Sequence, residues 1–142
     1  MLNKSYRDCF IRNSVSASFL NFEYMDSKKE GVIVSDNFIL KSDFLKREVK
    51  VDCYLPAQLQ DIQNISLLLI NDGQDLVTMK FDELLEGLYE TETIAPLFCV
   101  GIHCSADRKN EYGTAKILDY KGRGVKAALY THFIFEELLP FI

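Results

Sequence analysis

The sequence lacks the features that mark membrane, secreted and nucleic-acid-binding proteins. No apolar run approaches the roughly 20 residues that a membrane-spanning helix needs, and residues 1–12 contain no stretch of signal-peptide type. Basic residues are in deficit, with 16 Lys+Arg against 21 Asp+Glu and a net charge of −5. This balance argues against a nucleic-acid or anionic-membrane surface. We therefore expect a cytoplasmic protein that binds neither nucleic acid nor membrane.

The sequence also lacks the cysteine pattern of a structural metal site. Its four cysteines are irregularly spaced and form no C-x-x-C pair, which argues against a zinc knuckle. Cys99, His103 and Cys104 lie close in sequence, but no further ligand is spaced to complete a metal site with them. We expect unreactive thiols that behave as small hydrophobic residues, and no metal, nucleotide or flavin cofactor.

The composition and the first half of the chain indicate a globular protein that begins with antiparallel strands. The 142 residues are 48% hydrophobic and 26% charged, as in one ordinary domain. Polar and apolar residues alternate over 18–25, and residues 26–31 form a polar turn ending in glycine. Further extended segments follow at 32–41 and 47–55, where Pro56 ends the pattern.

The pattern after Pro56 changes to strand, helix, strand. Residues 66–70 are a short apolar run typical of a strand buried on both faces. An apolar stripe of helical spacing covers 79–90, and a second apolar run covers 97–102. A long polar loop at 103–121 leads to a helix at 124–139, which we expect to be well buried. The prediction is an α/β fold in which antiparallel strands precede a parallel βαβ crossover and helices pack on the sheet.

Four segments carry a resemblance to a known family. They read S-L-L-L-I-N-D-G-Q-D-L (66–76), I-A-P-L-F-C-V-G-I-H (94–103), D-R-K-N-E-Y-G (107–113) and F-I-F-E-E-L-L-P (133–140). In order and spacing they resemble the Putative esterase family, the esterase-D-like branch of the α/β-hydrolases that includes enterochelin and feruloyl esterases. The resemblance implies that residues 31–142 form the N-terminal half of an α/β-hydrolase sheet. Residues 1–30 would be an arm with a first strand.

The resemblance implies a chemistry whose nucleophile we do not find. Members of this family hydrolyse carboxylic esters with a Ser-His-Asp/Glu triad, whose serine lies in a G-x-S-x-G turn. None of the nine serines lies in such a pattern. In the family that turn follows the E-E-L-L-P helix, and the triad acid and histidine come later, so neither His103 nor His132 fits. We expect no catalytic residue in this chain, a truncation before the nucleophile, and no activity of the chain alone.

The resemblance does place an oxyanion hole in this chain. Its backbone donors would be the N–H groups of Gly73 and Gln74, in the turn after the first buried parallel strand. Asp75 in the same turn is expected to line the substrate pocket. Without the resemblance, Asn-Asp-Gly would indicate an ordinary strand-ending turn.

Further pocket residues are expected after the second buried strand, since ligands bind at the carboxyl ends of such strands. These candidates are His103, Arg108, Glu111 and Tyr112. Arg108 could meet an anionic group of the substrate. The alternative is that Arg108 and Glu111 form a structural ion pair, and that His103 is structural too.

The missing nucleophile strand has a consequence for assembly. Without it, the strand at 66–70 becomes an exposed edge, which we expect to pair with a second copy or with a separate C-terminal half. The complete protein would take a small-molecule ester. Two alternatives remain: a non-catalytic hydrolase-like binding or assembly module, and a complete small enzyme that uses His103 with Asp107 or Cys104.

Overall fold

A computed structural model describes residues 33–57, 65–114 and 116–142. The predicted strand at 18–25 and turn at 26–31 lie outside these residues. Within them, four strands form one mixed sheet: β1 (Ile33–Ser42), β2 (Arg47–Pro56), β3 (Ser66–Asn71) and β4 (Leu97–Ile102). The spatial order of the strands is β1-β2-β4-β3.

In the described part of the chain, three helices and the 3₁₀ turn Gly73–Asp75 accompany the sheet. Helix α1 spans Phe81–Glu90, and α2 is the single turn Arg108–Glu111 inside the predicted 103–121 loop. Helix α3 starts as Ala127–His132, widens into the π-helical turn Phe133–Leu138 and ends with Leu139–Phe141. No helix in the described ranges has both the length and the apolar character needed to cross a membrane.

The first two strands form the predicted antiparallel hairpin. Ile33 lies opposite Pro56 at one end and Ser42 opposite Arg47 at the other. Alternate β2 residues, among them Val49 and Val51, are buried in the core. The tight connection is possible because Lys46 adopts a left-handed conformation with φ of 54°. Both strand predictions are therefore confirmed to within a residue.

The rest of the sheet is the predicted crossover. Strand β3 is parallel to β4, with Ser66 opposite Leu97, and β2 is antiparallel to β4. Helix α1 connects the two parallel strands and places Leu85 on one face of the sheet. Helix α3 covers the opposite face with Phe133 and Leu138. The predicted α/β fold class is thus confirmed.

Glu137 of α3 joins this helix to the β1–β2 turn. Its carboxylate accepts hydrogen bonds from the Ser42 hydroxyl at 2.5 Å and from the Asp43 N–H at 2.8 Å. The Ser42 oxygen in turn accepts from the Leu45 N–H at 2.9 Å. Because the turn's polar groups are satisfied by a helical residue some ninety positions away, helix and hairpin are held in one arrangement.

The predicted burial of β3 on both faces is wrong. Leu67 is 42% exposed and Leu68 is 40% exposed. The reason is the strand order, which places β3 at the edge of the described sheet, so neither covering helix extends fully over it. Among the described strands, β3 pairs only with β4, so its other edge has no partner there.

The predicted burial of the last helix is wrong for part of its surface. Leu129 and Phe135 are 39% and 64% exposed, because only one face of α3 meets the sheet. Val125, 59% exposed, lies before the first residue of the helix. The helix also runs through Pro140 instead of ending there. Proline has no N–H to donate within the helix, and the wider π turn before it alters the hydrogen-bond pattern at this point.

Candidate active site

The turn after β3 packs directly on the backbone of β4. Asp72 adopts a left-handed conformation (φ 60°, ψ 42°), and Gly73–Asp75 forms one 3₁₀ turn. Gly73 is buried, and a Cβ atom there would lie 2.5 Å from the Gly101 carbonyl carbon and 2.8 Å from the Ile102 nitrogen. Such distances are shorter than real contacts, so only glycine fits at this position.

Two backbone donors of this turn remain free. The Asp75 N–H donates to the Asp72 carbonyl at 3.0 Å, and the Leu76 N–H donates to the Gly73 carbonyl at 3.2 Å. In the part of the chain that the structure describes, the N–H groups of Gly73 and Gln74 donate to no protein acceptor. Paired donors fixed in a rigid turn can bind an oxygen atom that carries negative charge.

The Gln74 side chain fixes the turn to the end of β4. Its Oε1 accepts the Cys104 N–H at 3.1 Å, and its Nε2 lies 3.4 Å from Asp72 Oδ1. Asp75, the third predicted residue of this turn, is exposed. The amide of Gln74 therefore has a structural partner, while its backbone N–H stays available.

Arg108 binds Asp72 and not Glu111. Its Nε lies 2.7 Å and its Nη2 2.5 Å from the two carboxylate oxygens of Asp72, and its guanidinium carbon lies 5.3 Å from the centre of the Tyr112 ring. The Arg108 hydrogen bonds lower the pKa of Asp72 to about 2, and Asp72 raises the pKa of Arg108. Nothing in the local sequence pattern indicated this pair, because its partners lie 36 positions apart.

Glu111 forms the expected structural ion pair, but its partner is Arg47. Glu111 is only 2% exposed, and its two oxygens accept from Arg47 Nε at 2.9 Å and Nη2 at 2.7 Å. The Ser105 hydroxyl donates a third hydrogen bond at 3.1 Å. This network fixes the loop after β4 to the start of β2, and it encloses Glu111 instead of presenting it to a pocket.

Tyr112 contacts the same turn from the other side. Its hydroxyl accepts the Asp72 N–H at 3.3 Å, and its ring lies edge-on to Tyr130 at 5.3 Å. Tyr130 in turn donates to Asn71 Oδ1 at 2.6 Å. Burial raises the pKa of both tyrosines, so both hydroxyls remain protonated donors at neutral pH.

His103 pairs with a carboxylate that the sequence did not single out. The backbone N–H of His103 donates to the Lys50 carbonyl at 2.9 Å, and the ring atom Nε2 lies 2.6 Å from Asp52 Oδ2. Asp107 instead binds Lys126 at 2.6 Å. The interpretation of His103 as a structural residue is therefore favoured by its contacts, and a His103–Asp107 pair is not.

The three thiols that the structure describes, those of Cys53, Cys99 and Cys104, are poorly suited to nucleophilic attack. Burial raises the pKa of Cys53 to about 12 and that of Cys99 to about 11. Cys104 is partly exposed, and burial together with Asp72 raises its pKa too. Reactive cysteines have lowered pKa values, so these surroundings oppose a thiolate. Within the described ranges, no three His, Cys, Asp or Glu side chains come together as a metal site.

An open cavity of about 210 Å³ lies beside Asp52, the carboxylate that pairs with His103. Its walls are Ser35, Asp36, Asn37, Lys50, Asp52, Tyr54 and Val77. None of Asp75, Arg108, Glu111 or Tyr112 lines it. Of the predicted pocket residues, Arg108 and Tyr112 contact the turn after β3. Glu111 binds Arg47 instead, and His103 binds Asp52, which belongs to the wall of this cavity.

The mixed four-stranded sheet with helices packed on it is similar to the α/β folds of esterases and hydrolases. The Putative esterase family model matches residues 42–142. The chain belongs to this family, and the family suspected from the sequence is confirmed. A search of curated proteins found no matching relative.

Solved structures with the same fold include several esterases and hydrolases. An IroE-like serine hydrolase from Shewanella oneidensis is 24% identical with a TM-score of 0.63, over 77% of this chain and 38% of that one. The BES protein from Bacillus cereus is 18% identical with a TM-score of 0.60, over 82% and 48%. Enterochelin esterase from Shigella flexneri is 18% identical with a TM-score of 0.58, over 75% and 24%. The chain spans less than half the length of each of these proteins.

Proposed function

We propose that this chain contributes the oxyanion-hole part of a carboxylic-ester hydrolase and does not turn over esters by itself. The observation that carries the proposal is the pair of free N–H groups of Gly73 and Gln74 in the turn after β3. Membership of the Putative esterase family supports the ester as the substrate class.

The two donors would act on the substrate carbonyl. When a nucleophile attacks an ester, negative charge develops on the carbonyl oxygen, and donors already aimed at that position stabilise it without reorganisation. Losing one such donor typically costs about 10²–10³-fold in rate. The turn is suited to this role because its contacts with β4 and Arg108 hold it in a single conformation.

The nucleophile is proposed to come from polypeptide other than these 142 residues. None of the nine serines lies in a G-x-S-x-G pattern, and the thiol pKa values are raised. The matched BES protein and IroE-like serine hydrolase contain at least as much chain again as the part matched here. In the complete protein the substrate would be a small ester, and its pocket would be finished by that additional chain.

The purified chain is therefore expected to show no turnover of p-nitrophenyl acetate above the uncatalysed rate. His103→Ala and Cys104→Ala variants should behave identically, because neither side chain is assigned to attack. The measurement is initial rate against substrate concentration at neutral pH. Saturable turnover that is lost in either variant would contradict the proposal, and would show a complete small enzyme with its own nucleophile or base.

We also propose that β3 pairs with another strand, from a second copy or from the complementing part of the enzyme. The strand S-L-L-L-I-N carries no charge and no proline, and its outer edge has no partner among the described strands. Uncharged edges of this kind promote pairing because their N–H and C=O groups are unpaired. Leu67 and Leu68, exposed on opposite faces, add apolar surface on both sides of that edge.

A Leu68→Lys substitution is expected to weaken self-association at least about tenfold, because a lysine on an edge strand opposes strand pairing. Sedimentation velocity over a range of protein concentrations measures the effect. Ile39→Lys is the matched control, since Ile39 is 66% exposed on β1, far from this edge. Equal weakening in both variants, or a monomer at every concentration, would contradict pairing of β3 with a second copy.

A further inference from the structure

The left-handed conformation of Asp72 determines where the two free donors point. Asp72 immediately precedes Gly73 and Gln74, so rotation about its backbone bonds moves both N–H groups. A left-handed conformation costs a residue other than glycine about 1 kcal/mol or more, although aspartate tolerates it better than most. Contacts elsewhere in the structure must therefore maintain it.

Those contacts come from the loop and short helix after β4. Arg108 binds both carboxylate oxygens of Asp72, and the Tyr112 hydroxyl accepts the Asp72 N–H. The guanidinium of Arg108 also lies over the Tyr112 ring at 5.3 Å. Side chain and main chain of Asp72 are thus held by two residues four positions apart. A bidentate arginine–carboxylate pair is strong and directional, which suits a holding role.

We propose that Arg108 is a positioning residue that acts through Asp72 to orient the N–H groups of Gly73 and Gln74. The inference rests on the proposed function in that these donors are the oxyanion hole. It replaces the expectation that Arg108 binds an anionic group of the substrate. The two guanidinium nitrogens that could form a bidentate pair with such a group, Nε and Nη2, already bind Asp72.

The Arg108–Asp72 ion pair also removes an electrostatic conflict. An unpaired Asp72 carboxylate beside the donors would repel the negative charge that develops on a substrate oxygen. The groups that face this carboxylate are Arg108, the Gln74 amide and the Cys104 thiol, and only Arg108 carries positive charge. Arg108 therefore neutralises Asp72 while it fixes the turn.

The test follows the backbone amides of Gly73 and Gln74 by NMR during an acid titration without ligand. In the native chain their shifts should report Asp72 protonation near pH 2, consistent with its lowered pKa. In Arg108→Gln the midpoint should rise toward about 4, the ordinary aspartate value. Arg108→Lys, which keeps the charge but loses the fork, should fall between the two. Lys126→Gln removes an exposed ion pair with Asp107 and should leave the midpoint unchanged.

A second measurement, made at neutral pH, covers the case in which Arg108→Gln unfolds in acid. At neutral pH the amide chemical shifts of Gly73 and Gln74 should differ between Arg108→Gln and the native chain, and Arg108→Lys should partly restore them. The other amides should stay near their native chemical shifts. Identical midpoints and shifts in the native chain and Arg108→Gln would overturn the inference. Because no ester or anion is present, this result is independent of whether the donors form an oxyanion hole.

Discussion

A Gly73→Ala variant is expected to lose about 3 kcal/mol of unfolding free energy, or to fail to fold. The added Cβ would lie 2.5–2.8 Å from three backbone atoms of Gly101 and Ile102. Because these atoms belong to the central strand β4, they cannot move aside without disturbing the sheet. Urea unfolding followed by circular dichroism measures the loss.

Gly87→Ala is the matched control for this substitution. Gly87 lies inside α1, and a Cβ there would meet no atom within 4 Å. Alanine favours helix over glycine by about 1 kcal/mol, so this variant should be as stable as the native chain or more stable. If Gly73→Ala were equally well tolerated, the turn after β3 would not pack on β4 as described.

An Arg47→Met variant is expected to cost about 3–5 kcal/mol, the usual penalty for removing one partner of a buried ion pair. Glu111 is 2% exposed, and the variant leaves its carboxylate with only the Ser105 hydroxyl. The loop after β4 would lose its attachment to β2 at the same time. Chemical unfolding of the variant and the native chain gives the difference directly.

Two further variants separate this effect from a general loss of charge. Lys126→Met breaks the Lys126–Asp107 pair, whose side chains are 41% and 38% exposed, and should change stability by less than about 1 kcal/mol. The double variant Arg47→Met/Glu111→Leu removes both buried charges and should recover most of the loss. A double variant as unstable as Arg47→Met alone would show that the buried charge is not the cause.

The parts of the fold that follow from local patterns were predictable from the sequence. Alternation over residues 47–55 predicts β2 because Val49, Val51 and Cys53 on one face are buried in the core. The burial of Asp52 and Tyr54 on the other face follows from the interior position of β2 in the sheet and not from the alternation. The helical stripe after residue 79 predicts α1 because one face of this helix meets the sheet. The burial of β3 was not predictable from its apolar run. An edge strand and a central strand of a parallel sheet can have the same sequence pattern, and only the strand order distinguishes them.

In the candidate site, too, features formed by neighbouring residues could be predicted, and contacts between residues far apart in the sequence could not. A turn at Gly73 and Gln74 could be predicted because its residues are contiguous and match a family motif, while their role as oxyanion donors stays a prediction. The partners of the charged residues could not be predicted: Arg108 binds Asp72, 36 positions away, and Glu111 binds Arg47, 64 positions away. Ion pairs between distant segments leave no periodic signal in one sequence, so Arg108 and Glu111, three positions apart, were weighed as partners of each other.

The proposed binding of a developing oxyanion by the N–H groups of Gly73 and Gln74 can be measured by titrating the ¹⁵N-labelled chain with methylphosphonate. This tetrahedral anion imitates the charge and shape of the intermediate in ester hydrolysis. Neutral dimethyl methylphosphonate, of similar shape, is the control. The account predicts saturable downfield shifts of the Gly73 and Gln74 amides with the anion and none with the neutral ester. Absent shifts at both amides, or equal shifts with both compounds, would contradict it.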